Sequence, residues 1–216
     1  MTTTAPSATP TRTTESRSSW LLLILGGIAF FAGGALHPKG SDHGDKSEQL
    51  HSMLVDSLWY PAHTVMLLAM AGIAAALVIL GRRTELPSGV ARVVRVLAVV
   101  AVIGALGAVI HLFAATQSDA IEDGGTSFLV LVFTGVETVV NPLWGLAIAT
   151  LAVVGGVTRT VGNRIVLALG LVGGLAFALA TATIAFTDLF DPIFPVASLI
   201  GVWCVATGVV GLVRGR

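Results

Sequence analysis

The chain has 216 residues, 55% of them hydrophobic and only 11% charged, with a mean hydropathy of +0.90. A soluble domain carries about 25% charged residues, so this chain has too little charge to cover a water-facing surface. Twelve basic residues balance twelve acidic ones, and no basic block suits nucleic acid. The single cysteine, Cys204, excludes an intramolecular disulfide. The Arg, Ala, Val, Gly and Leu bias suggests a high-G+C bacterial genome. Runs of about 20 apolar residues are the mark of membrane-spanning helices.

Residues 1–19 are rich in Thr, Ser and Pro without apolar periodicity, and read as a disordered tail. The first apolar run, Trp20 to Leu36, follows Arg12 and Arg17 and is 17 residues long. That exceeds the usual signal-peptide core of about 7–15 residues, so it is expected to stay as a span, although the small-residue patch at residues 32–35 resembles a cleavage site. Pro38 biases His37 away from helix and ends this span at residue 37.

A polar loop carries Lys39, Asp42 and His43. Asp45 then stands three residues before Glu48, a capping-box pattern. Leu50, Met53, Leu54 and Leu58 recur at helical spacing ahead of Trp59 and Tyr60. The stretch reads as a short amphipathic helix in the membrane interface, with its aromatics at headgroup level. Further spans are expected at about 61–80, 93–115, 127–157, 165–187 and 193–213.

The arginines set the orientation. With the N-terminus inside, all ten fall in inner segments, whereas the outer segments hold both lysines and nine of the acids. The positive-inside rule thus gives an all-α bundle of six spans with both ends cytoplasmic, in a bacterial plasma membrane. A three-plus-three inverted repeat would suit a transporter, but the halves show no internal similarity.

Polar residues at membrane depth carry the functional signal. His37 ends span one, His63 begins span two, and His111 lies roughly 6 Å inside the outer end of span three. Gly104, Ala108, His111 and Ala115 share a small-residue face, which turns His111 into the bundle. Glu137 is the only carboxylate well inside an apolar run, on a stripe with Thr134, Thr138 and Asn141. Counting back from Arg159 places it in the histidine layer, with Pro142 kinking the helix below. Buried ionisable groups of this kind mark functional sites. Imidazole with carboxylate suits a transition metal, and His63, Met66 and Met70 add a His/Met line of the kind that binds copper(I) or haem. No HExxH, CxxC or HxxxH motif is present. His43 and His51 read as solvated, Cys204 as an inert buried thiol, and Gly170 with Gly174 as a packing pair within the bundle.

Three functional readings follow. One is an outward-facing site on His37, His63, His111 and Glu137 that holds a transition metal or haem. Another is a small ion-coupled transporter using Glu137. The third is a structural or accessory subunit whose partners are the bilayer and another membrane protein or a second copy. No residue is assigned a catalytic role.

Overall fold

A computed structural model describes residues 11–41, 44–123 and 125–215. These residues form helices and connecting turns, with no strand among them. Six helical stretches are long and apolar enough to cross a membrane: Arg17–Leu36, Trp59–Gly81, Ser88–Glu122, Phe128–Val157, Arg164–Thr183 and Asp191–Val213. Each presents large apolar side chains outward, among them Leu25, Leu68, Leu106, Leu143, Leu175 and Val209. This multi-pass architecture matches the six expected runs, but several bounds differ.

Helix α1 is Thr11–Leu36. Of the expected tail, residues 1–10 lie outside the described residues, and residues 11–19 are helical. Pro10 is the last helix breaker before the apolar run. Beyond it, extending an existing helix costs far less than nucleating one. Helix α2 (Lys46–Leu54) starts as the capping pattern indicates, with the Asp45 side chain accepting from the Ser47 and Glu48 amides and Glu48 reaching back to the Asp45 N–H. It ends before Leu58, which is exposed.

Helix α3 is Trp59–Gly81 and α4 is Ser88–Phe113. A tight turn at Ala114–Gln117 leads into α5 (Ser118–Glu122), so the third span continues past the expected end at 115. The fourth span comprises α6 (Phe128–Gly135), a π-turn (Val136–Val140) and α7 (Asn141–Val157). Helix α8 (Arg164–Thr183) stops short of 187, where Phe186 and Thr187 bond back to the Thr183 carbonyl. The last span is a short turn at Asp191–Ile193, α9 (Phe194–Ala197) and α10 (Leu199–Val213).

The six spans make a closed ring. Helix α1 packs on α3, α3 on α4, α4 on α7, α7 on α8 and α8 on α10, and α10 returns to α1. Glycines set the closest approaches. A Cβ on Gly145 would lie 2.6 Å from the Gly174 carbonyl oxygen, and one on Gly27 would lie 2.6 Å from that of Gly201. Backbones that near leave no room for a side chain, which is how small residues join helices in lipid. Gly170 faces Ala152 and Trp203, so Gly170 and Gly174 pack within the bundle as their spacing suggests.

The ends of the bundle differ in charge. At one end Arg83 lies 5.8 Å from the Trp20 ring, and Arg214 donates to the carbonyls of Arg159 and Gly162. At the other, Lys46 of α2 pairs with Asp188 in the turn before the last span. A small apolar cluster of Leu54, Trp59, Ala114, Ala115, Ile121 and Val130 closes this acidic end.

Candidate metal centre

Three histidines meet beneath that apolar roof. His37 follows the end of α1, where Pro38 stops the helix and leaves the imidazole over the bundle mouth. His63 sits one turn inside α3, and His111 lies near the end of α4. The ring centroids are 4.8 Å apart for His37 and His63, 4.3 Å for His63 and His111, and 6.3 Å for His37 and His111. One ligand nitrogen from each lies within 4.8 Å of the other two. The depth inferred for these residues from helix length is thus shared, and ring closure makes the shared depth a cluster.

The Nδ1 atoms are all engaged. His63 Nδ1 lies 2.6 Å from the Trp59 carbonyl oxygen, and His37 Nδ1 lies 2.8 Å from that of Pro38. A carbonyl oxygen only accepts, so these nitrogens carry the proton and each Nε2 keeps a bare lone pair. His111 Nδ1 lies 2.9 Å from Glu137 Oε1. His63 Nε2 is buried with no hydrogen-bond partner in a side chain only 2% exposed. A buried polar atom without a partner costs about 1–3 kcal/mol, and an electron-pair acceptor at that point would remove the cost.

Glu137 owes its position to the π-turn. Pro142 has no N–H to give the Thr138 carbonyl, and its ring crowds that carbonyl in a regular helix. The chain takes up one extra residue, and the Asn141 N–H bonds to Val136 O instead. Such π-turns are frequent at functional sites. Pro142 was expected to kink the helix, and it acts here by changing the register. The polar stripe divides accordingly. Thr134 and Thr138 spend their hydroxyls on the carbonyls of Val130 and Thr134. Glu137 and Asn141 face a cavity and hydrogen-bond each other.

That cavity runs inward from His63 and His111 past Met66 and Met70. Phe30 and Phe177 line it as an aromatic floor, and both rings pack on Trp144 behind them, at 5.5 and 5.3 Å between ring centroids. The sequence offered no sign of two aromatic walls. Trp59 is 1% exposed and packs on His63 at 3.9 Å, its Nε1–H donating to Leu112 O. Its position four residues before His63 on one helix was the available clue. Phe133 covers the His111 ring at 4.4 Å. His51 stands apart, 3.9 Å from exposed Glu122, and His43 lies outside the described residues. Cys204 is fully buried away from the site.

Comparison with protein-family models, with curated proteins and with solved structures finds no match for the chain. Its function therefore rests on the geometry of this site.

Proposed function

We propose that this multi-pass protein holds a single transition-metal ion on the Nε2 atoms of His37, His63 and His111, near the non-cytoplasmic face of a bacterial plasma membrane. The observation that carries the proposal is the buried, partnerless Nε2 of His63, beside two more imidazoles whose other nitrogens are already tied down. Metal-bound histidines characteristically donate their remaining N–H to a carbonyl or carboxylate, which fixes the tautomer and raises ligand basicity. All three rings are braced in that way.

The size of the cluster suits an ion after a small contraction. Nitrogens around a tetrahedral ion with bonds of about 2.1 Å stand about 3.4 Å apart, so the widest pair, at most 4.8 Å apart, closes by up to about 1.4 Å on binding. Haem fits less well, because rings whose centroids stand 4.3 Å apart leave no slot for a porphyrin. The start of α1 and the end of α10 lie on the arginine-rich side, which the positive-inside rule assigns to the cytoplasm. Acids of the opposite side, among them Asp45, Glu48, Asp119, Glu122 and Asp188, then attract cations toward the histidines.

The test is elemental analysis and cobalt(II) titration of the purified full-length protein in detergent. The expected result is one ion per chain in the wild type, with intense ligand-field bands of a low-symmetry nitrogen site, and loss of the ion in His63→Ala and His111→Ala. A wild-type protein that retains no ion at micromolar metal, or binding that survives both substitutions, overturns the proposal.

A further inference from the structure

The cavity beneath the histidines holds two sulfur atoms as well. Met66 and Met70 follow His63 on α3 at spacings of three and four, so the three side chains descend one face of the helix. Both methionines line the same cavity as His63, His111 and Glu137. Glycines make the room they occupy. A Cβ on Gly33 would come within 2.5 Å of Met66 Cγ, and one on Gly104 within 3.0 Å of Met70 Cε.

We infer that the ion at this site is copper(I), and that Met66 and Met70 form a second, thioether station that receives it from the histidines. The inference rests on the metal-centre reading above. Two arguments lead to it. The first is ligand softness. Imidazole serves zinc, iron, nickel and copper alike, whereas thioether selects copper(I) among the common ions. A chain of nitrogen followed by sulfur donors is selective only for the soft monovalent ion.

The second argument is charge. Three neutral imidazoles and the Glu137 carboxylate place one negative charge at membrane depth. A monovalent cation makes that assembly neutral, whereas a divalent one leaves a net positive charge where solvation by water is lost. Asn141 holds the carboxylate from the cavity side, so the balancing charge stands beside both stations. The ion enters as copper(I) and leaves as copper(I), and the transfer exchanges ligands without electron transfer.

The test compares wild-type protein with Met66→Leu/Met70→Leu in detergent under anaerobic conditions. Copper(I) affinity is measured against a chromophoric chelator and zinc(II) affinity in parallel, with X-ray absorption on the copper-loaded samples. Leucine keeps the volume of methionine, so the fold is retained. The expected result is sulfur in the copper shell of the wild type and nitrogen alone in the variant. Copper(I) affinity in the variant falls by about tenfold or more, with zinc(II) affinity unchanged. Unchanged copper(I) affinity, a nitrogen-only shell in the wild type, sulfur that persists in the variant, or an equal fall for zinc(II) each overturns the inference while leaving the histidine centre standing. Wild-type protein that binds neither ion overturns both.

Discussion

Glu137 Oε1 stands 2.9 Å from His111 Nδ1, and the two side chains come from consecutive spans, the fourth and the third. The contact engages Nδ1 of an imidazole whose centroid is 4.3 Å from that of His63, and leaves its Nε2 as the ligand atom. Glu137→Gln keeps the shape and removes the charge. Loss of such a bracing carboxylate typically weakens metal binding about 10–100-fold, and that is the expected fall in the affinity of the cluster. Isothermal titration of the two proteins with zinc(II) measures it, and a melting temperature close to the wild type shows that the loss is local.

Pro142 sets the register of the π-turn that carries Glu137. Pro142→Ala restores an N–H for the Thr138 carbonyl and favours a regular helix through this stretch. One residue of register rotates a side chain by about 100°, which takes Glu137 away from His111. The variant is therefore expected to lose ion affinity to about the same extent as Glu137→Gln, again about 10–100-fold, while its helical circular dichroism stays equal or rises. Undiminished affinity would show that the proline has no part in placing the carboxylate.

Gly174 lies against the backbone of α7. A methyl group there would sit 2.5 Å from the Gly145 carbonyl oxygen, so Gly174→Ala forces α7 and α8 apart. Overpacking of this kind costs about 1–3 kcal/mol. Gly34→Ala is the control, since nothing lies within 4 Å of a Cβ at that position. As a helical glycine replaced by alanine, it should gain roughly 0.5–1 kcal/mol. Thermal unfolding in a single detergent should separate the two variants in opposite directions.

Lys46 and Asp188 tie α2 to the turn before the last span. The hydrogen bond from Lys46 holds the Asp188 carboxyl below its ordinary value, and the lysine charge acts the same way. A carboxylate with a depressed folded value takes up protons more readily when released. Its contribution is therefore complete above about pH 4 and is lost as pH falls through the folded value. Spin labels at Ser47 and Leu189 should report a fixed separation at neutral pH and a broadened one under acid. Asp188→Asn should show the broadened distribution already at neutral pH.

Much of this architecture was legible in the residues. Six apolar runs gave six spans because nothing except lipid accommodates them, and Asp45 with Glu48 marked a helix start by local chemistry alone. Helix α4 ends at Phe113 and α8 at Thr183, each in a tight turn that hydropathy does not mark. For the site, His37, His63, His111 and Glu137 each stood out as polar groups at one depth. Their convergence could not be read, because depth fixes height along the bundle and says nothing about which helices are neighbours. The part Trp59 takes in the site could not be read for a related reason. A tryptophan after a polar loop resembles a headgroup anchor until the packing of α4 beside it is known.

The closed ring has a consequence for how the site is filled. His37, His63 and His111 all belong to the first three spans, whereas the aromatic floor at Phe177 and the closing seam between Gly27 and Gly201 are completed by the last two. A chain inserted span by span thus displays its imidazoles before the barrel of helices is shut. The seam between α10 and α1 then closes the ring only after the three imidazoles are in place.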